Sequence, residues 1–276
     1  MYRLIAIDMD GTLLNDHHEV PEDVKRTLDE AKRHGIKIVL CSGRPIGGMH
    51  SYIEKLSLDE DGDYAIAYNG ALVQATDTNE IVAELSLERN DLVKLYDVSM
   101  ELDSPIHFFD AEGLYTPNAN ISEYTVLESY LNKIPLHYQQ VSDVPAIISI
   151  PKVMFINHPE KLTQTIQALP KELYDQYTIV QSSPYFLEFI HPSANKGNAV
   201  KKLAEELGIK QEEVMCIGDN GNDLPMIEYA GCSVAMGNAI SEVKAAADFQ
   251  TRTNNESGVA YAIDTLVLDP LKVKSK

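Results

Sequence analysis

Basic residues are scarce in this chain: 23 Lys and Arg stand against 42 Asp and Glu over 276 residues, a formal balance of −19. A nucleic-acid partner is disfavoured, because neutralising a phosphate backbone needs a basic surface. The same negative field repels phosphorylated small molecules at long range, so any phosphate site must carry its own local positive charge. Cysteine is scarcer still. Cys41, Cys216 and Cys232 are odd in number and lack CxxC spacing, which argues against a disulfide framework and a structural zinc site. Long apolar runs are also missing. The run at 4–7 is too short for the apolar part of a signal peptide, and the stretch 146–156 is interrupted by Pro151 and Lys152. Neither approaches the roughly 18 residues of a membrane span. These absences predict a soluble, cytoplasmic protein with no membrane partner.

What is present is material for a core. Hydrophobic residues make up 44% of the chain, which rules out global disorder. The length exceeds the usual single-domain size of about 100–150 residues and predicts two domains, or one domain with a large insert. Short apolar runs at 4–7, 36–41 and 64–68 do not alternate, and each ends in polar residues. After the first, Val20-Pro21 opens an amphipathic segment with Val24, Leu28 and Ala31 on one face, closed by Gly35. A second helical segment follows Ser42-Gly43-Arg44-Pro45. Unalternating strands separated by helices predict a parallel sheet covered on both faces.

The rhythm then changes. Runs at 71–74 and 81–85 flank Asp77-Thr78-Asn79 as a hairpin, and 87–183 mixes helices with alternating strands at 106–109, 114–116, 153–156 and 178–181. The α/β rhythm returns with a helix over 196–207, runs at 214–217 and 232–235, and helices near 224–229, 240–247 and 259–266. The tail, 272–276, is expected to fray. The expected fold class is α/β: a Rossmann-like doubly wound parallel-sheet core, residues 1–85 and 190–276, with an inserted α+β cap domain, residues 86–189.

Ligands of open α/β sheets bind beyond the carboxyl ends of the strands. Those ends deliver Asp8-Met9-Asp10-Gly11-Thr12, Ser42-Gly43-Arg44, Asn69-Gly70 and Gly218-Asp219-Asn220-Gly221-Asn222-Asp223, while Lys196 opens the helix after the insert. Asp8 and Asp10, two apart on an extended backbone, project to the same side. Carboxylates that close repel, and a hard cation is the usual remedy. Mg²⁺, which takes one or two carboxylates plus water and phosphate oxygens, suits Asp8, Asp219 and a backbone carbonyl near Asp10. One carboxylate can attack phosphorus while the other protonates the leaving alcohol and later activates water. Ser42, Lys196 and the amides around Met9 and Gly43 would hold phosphoryl oxygens, Asn222 could add a donor, and Asp223 could orient the ligands. Lys196 in a first helical turn opposes the helix dipole, which favours a functional reason for it.

Asp8-x-Asp10-x-Thr12, Ser42, Lys196 and Gly218-Asp219-x-x-Asn222-Asp223 resemble the four ordered motifs of the haloacid dehalogenase-like superfamily. Lys196-Gly197-x-Ala199, Tyr68-Asn69-Gly70-Ala71 and the position of the insert resemble its Cof-type (IIB) branch, and nearly the whole chain is similar to the YidA-like sugar-phosphate phosphatases. That resemblance implies a phosphoaspartate on Asp8 and acid/base work by Asp10. It implies Mg²⁺ held by Asp8, the Asp10 carbonyl and Asp219, and phosphate contacts from Met9, Ser42, Gly43, Lys196 and Asn222. The activity it implies is hydrolysis of a small phosphate monoester, a sugar phosphate above all. A phosphomutase using the same Asp8 chemistry and a non-catalytic phosphometabolite sensor are the alternatives; the sensor would have no use for Asp10.

Other residues have two readings. Arg44 is a packing residue or a substrate contact, and Asn69 a turn former or a substrate contact. Glu188, in the apolar run 186–190, faces water at a sheet edge or lines the cleft. His107, Tyr115 and Tyr185, polar or amphipathic near predicted turns of the insert, are candidates for leaving-group recognition. Cys41 and Cys216 read as small hydrophobes in buried strands. The oligomeric state has no sequence signature.

Overall fold

The structure, a computed structural model, describes residues 1–274. It divides into two compact units. The first comprises Met1–Ser42, His50–Ala83 and Asn195–Lys276; the second comprises Gly43–Met49 and Glu84–Ala194.

In the first unit, β1 (Leu4–Asp8), β2 (Lys37–Cys41) and β3 (Tyr64–Ala67) are parallel neighbours. All five residues of β1 are buried, as expected of a strand covered on both faces. The helix α1 (Glu22–Arg33) joins β1 to β2, burying Val24, Leu28 and Ala31; acidic residues occupy its first turn and basic ones its last, matching the helix dipole. A second helix, α2 (Ile46–Lys55), follows β2. The strands β4 (Leu72–Ala75), antiparallel to β3, and β5 (Ile81–Glu84) carry the expected hairpin, which extends the same sheet.

The second unit is α+β. Its helices include α3 (Arg89–Glu101), α4 (Glu123–Asn132) and α5 (Pro159–Ala168). Its strands are β6 (Ile106–Phe109), β7 (Leu114–Thr116), β8 (Leu136–Tyr138), β9 (Val153–Ile156), β10 (Thr178–Ser183) and β11 (Phe186–Ile190), ordered β10-β11-β9-β6-β7-β8. Leu92, Leu95, Phe108, Phe155 and Phe189 anchor its apolar core.

The chain then completes the first sheet. The helix α6 (Lys196–Glu206) precedes β12 (Val214–Gly218), and α7 (Leu224–Tyr229) precedes β13 (Cys232–Ala235) and β14 (Phe249–Gln250). The order is β14-β13-β12-β1-β2-β3-β4-β5, with β1 parallel to both β2 and β12. This is the expected α/β class. The chain leaves β1 on one side for β2 and returns on the other as β12, so the crevice at a strand-order reversal opens at their carboxyl ends. The last described segment, Asp269–Lys274, is helical; Ser275 and Lys276, in the tail expected to fray, lie outside the described residues. Among the described residues no helix is long and apolar enough to cross a membrane.

Candidate active site

The site grows from three chain segments of the first unit that meet at the strand-order reversal. β1 ends on Asp8, β12 runs into Asp219, and α6 begins with Lys196. Lys196 is fully buried, and its ammonium donates to Asp8 Oδ1 at 2.5 Å and to Asp223 Oδ1 at 2.6 Å. The other oxygen of Asp223 accepts the main-chain N–H groups of Asp219 at 2.9 Å and Asn220 at 3.0 Å. Asp223 is thereby saturated and fixes the turn that presents Asp219. Thr12 donates its hydroxyl to Asp219 Oδ1 at 3.0 Å.

Asp8 Oδ2 is buried and has no hydrogen-bond partner. Such an atom is unfavourable unless something else satisfies it. Asp8, Asp219 and Asp223 each offer an oxygen, all within 4.8 Å of one another. Three carboxylates around one ammonium leave an excess of negative charge in a dry place. Burial, followed by repulsion from Asp223, pushes the Asp8 carboxyl well above the ordinary carboxylate range despite Lys196. The same two causes raise Asp219 to about 6. Burial alone would lower Lys196; Asp223 and Asp8 outweigh it and raise the ammonium above its usual range. With Asp223 committed, Asp8 and Asp219 supply the oxygens a hard divalent cation prefers, so the residues present fit such an ion. The turn between them admits only glycine. Gly11 has φ +85°, and a Cβ there would lie 2.5 Å from Asp219 Oδ2.

The remaining candidates divide. Asp10 is exposed, 3.7 Å from the His18 ring. Met9 and Ser42 are buried. Asn69 is also buried, at φ +55°; its N–H donates to Ser42 O at 2.9 Å, and its side-chain oxygen accepts from Asn222 Nδ2 at 3.0 Å. It thus ties two phosphate-contact candidates together. The tight approach is made possible by Gly70, where a Cβ would fall 2.3 Å from Asn195 O, beside Lys196.

Gly43 and Arg44 belong to the second unit, where Gly43 O accepts from Lys152 Nζ at 3.3 Å and Arg44 reaches Gly48 O at 3.5 Å. Glu188 is neither at an edge nor facing water. It lies on β11 between β9 and β10, buried, with Lys152 at 3.1 Å. His107 is fully enclosed between Thr125 Oγ1 and Met154 Sδ, each at 3.1 Å, and meets Phe109 edge-on. Tyr115 stacks between Phe108 and His137, and Tyr185 stacks on Tyr124. His107 and Tyr115 therefore pack the interior of the second unit instead of presenting polar groups from turns, because both faces of their sheet are covered. Asn238 went unnoticed in the sequence. It donates to Gly11 O at 2.8 Å and approaches Asp219 Oδ2 at 3.5 Å. Its position just beyond β13 was the available signal, since that strand end opens on the same edge of the sheet.

Comparison with known proteins agrees with this geometry. Residues 5–263 match the haloacid dehalogenase-like hydrolase family. YxeH of Bacillus subtilis (strain 168) is 63% identical over 268 residues, covering 97% of this chain and 99% of that protein. YcsE of the same organism, a 5-amino-6-(5-phospho-D-ribitylamino)uracil phosphatase, is 32% identical over 267 residues, covering 96% of each. The crystal structure of a haloacid dehalogenase-like hydrolase from Bacteroides thetaiotaomicron superposes with a TM-score of 0.87 at 34% identity, covering 96% of this chain and 100% of that one. The chain belongs to the haloacid dehalogenase-like hydrolases and is a phosphatase of that family, attacking phosphate esters with an aspartate.

Proposed function

We propose that this protein is a cytoplasmic, Mg²⁺-dependent phosphatase of the Cof-type, YidA-like kind, hydrolysing small sugar or sugar-alcohol phosphates through a phosphoaspartate on Asp8. The observation that carries the reading is the bare Asp8 Oδ2, one oxygen of a buried carboxylate whose other oxygen is clamped by Lys196. The clamp orients the nucleophile and leaves one oxygen able to form a bond. That oxygen attacks phosphorus as the ester P–O bond breaks, and Asp10 gives its proton to the departing alkoxide. Water then attacks the phosphoaspartate, Asp10 takes the water's proton, and inorganic phosphate leaves with Asp8 regenerated. Lys196, Ser42, Asn222 and the amides of Met9 and Gly43 hold the phosphoryl oxygens. Bound Mg²⁺, held by Asp8, Asp219 and the Asp10 carbonyl, would supply positive charge where negative charge develops. The inserted residues 86–189 act as the specificity module. The substrate class is supported by YcsE, whose named substrate carries its phosphate on a ribityl chain.

The test is phosphate release from a panel of hexose, pentose and polyol phosphates, with Mg²⁺ or with EDTA. Release that requires Mg²⁺ and vanishes in Asp8→Asn is expected. Wild-type rates in Asp8→Asn would overturn the covalent route, and isomer formation without free phosphate would identify a mutase.

A further inference from the structure

We propose that Asn238 is a positioning residue that sets the spacing between the two sources of metal-binding oxygen, the turn after Asp10 and the carboxylate of Asp219. The inference rests on the Mg²⁺ reading above and goes beyond it, because Asn238 lies outside the four motifs.

The loop carrying Asn238 is pinned to the end of β12 on both sides. Met236 N donates to Gly218 O at 3.0 Å, and Ile240 N donates to Asp219 O at 2.9 Å. From this anchored base the Asn238 side chain spans to the other strand end. Its Nδ2 donates to Gly11 O at 2.8 Å, one residue past Asp10, and lies 3.5 Å from Asp219 Oδ2. Its Oδ1 accepts the main-chain N–H of Asn254 at 3.0 Å. A backbone N–H can only donate and a backbone carbonyl can only accept, so a single orientation of the amide satisfies both neighbours. Asn254 is itself fixed, donating to Leu14 O at 3.0 Å and Asp16 Oδ1 at 3.2 Å. The side chain is thus a rigid crosspiece between the β1 turn and the β12 turn.

A crosspiece is needed there because Asp8 and Asp219, carried by the two strand ends it ties, repel each other. Without a cation, Asp219 would relieve the repulsion by swinging away from Asp8. Thr12 holds one of its oxygens and Asn238 stands beside the other. Holding the donors at a set distance, against their repulsion, before the ion arrives removes reorganisation from the binding step.

Asn238 is exposed, so its truncation leaves the buried cluster in place. Isothermal titration of Mg²⁺ into the metal-free protein compares wild type, Asn238→Ala and Asn255→Ala. Asn255 serves as a control because it ties to Asp16, in the loop that follows Asp10, at 2.9 Å and 3.1 Å. Asn238→Ala is expected to weaken Mg²⁺ binding about 10–100-fold, the usual effect of losing a group that orients metal ligands. Its melting temperature in EDTA should fall no further than that of Asn255→Ala, which also loses two hydrogen bonds, and saturating Mg²⁺ should restore kcat. Asn255→Ala should bind as wild type does. A dissociation constant for Asn238→Ala within twofold of wild type overturns the inference. Equal weakening in Asn255→Ala also overturns it, by assigning the effect to general loosening of the loop. A wild type that binds no Mg²⁺ overturns the metal reading itself.

Discussion

Each unit of this protein buries a lysine between two carboxylates, and the two arrangements have different consequences. In the second unit Lys152 sits 3.1 Å from Glu188, 4.0 Å from Glu128 and 3.3 Å from Gly43 O, with its ammonium 5.0 Å from the centre of the Phe109 ring. Burial, opposed by Lys152, raises the Glu128 carboxyl, and Arg44 adds positive charge nearby. Two cationic and two anionic side chains come out even. In the first unit Lys196 serves Asp8 and Asp223, but Asp219 is a third carboxylate and Asp8 Oδ2 has no donor. Buried ions by themselves do not mark chemistry; an uncompensated surplus of one sign does.

The largest expected effect comes from deleting either ammonium. Lys196→Met and Lys152→Met each leave buried carboxylates unpaired and should lose about 3–5 kcal/mol of stability in denaturant unfolding. Mg²⁺ should return part of the loss in Lys196→Met and none in Lys152→Met. Equal recovery by both would erase the distinction between the clusters. Next in size, Asp8→Asn reduces the surplus while Lys196 keeps Asp223. It should raise the metal-free melting temperature by about 2–4 °C, corresponding to about 1 kcal/mol in a chain of this size, while abolishing turnover. A fall in melting temperature would show that Asp8 is held without electrostatic strain.

Acid should act on His107 and on Asp219 with opposite sign. Burial, then Lys152, keeps the His107 imidazole well below its ordinary range, so the folded chain leaves it neutral while the unfolded chain protonates it near 6.5. The unfolded state then binds the extra proton, and this contribution to stability is lost as pH falls below about 6.5, with a slope approaching ~1.4 kcal/mol per pH unit. Asp219 runs the other way. With its folded value raised to about 6, the metal-free fold takes up the proton first and gains as pH falls toward 5. Equilibrium unfolding of wild type and His107→Gln between pH 7 and 5 separates the two; identical pH profiles would remove His107 from the account. Smallest of all, Tyr115→Phe should change stability by about 1 kcal/mol or less and leave kcat/KM unchanged across a phosphate-ester panel. A shift in selectivity would return Tyr115 to the list of substrate contacts.

The parallel sheet was readable because a strand buried on both faces must be apolar throughout, as β1 is. Once strands could be assigned, the rule that ligands bind at their carboxyl ends singled out Asp8, Ser42 and Asp219. Other features had no local signature. The strand β8, Leu136–Tyr138, is short and mostly exposed, and it is a strand only because β7 offers a ladder. His107 and Tyr115 read as candidates because they are polar or amphipathic near predicted turns, whereas β6 and β7 are buried along their whole length. The hydrogen bonds of Asn238 to Gly11 and of Asn254 to Leu14 join residues more than two hundred positions apart, and small amides in loops have no periodicity to betray them.

The strand order also bears on how the protein is made. β1 is made before its neighbour β12 and the ammonium of Lys196, which are encoded some two hundred residues later. The contiguous stretch Glu84–Ala194 can collapse while the five earlier strands still wait for the other three of their sheet. A nascent chain that stops before Lys196 therefore holds Asp8 without the groups that orient it, and catalytic competence waits for the stretch that carries Lys196, Asp219 and Asp223.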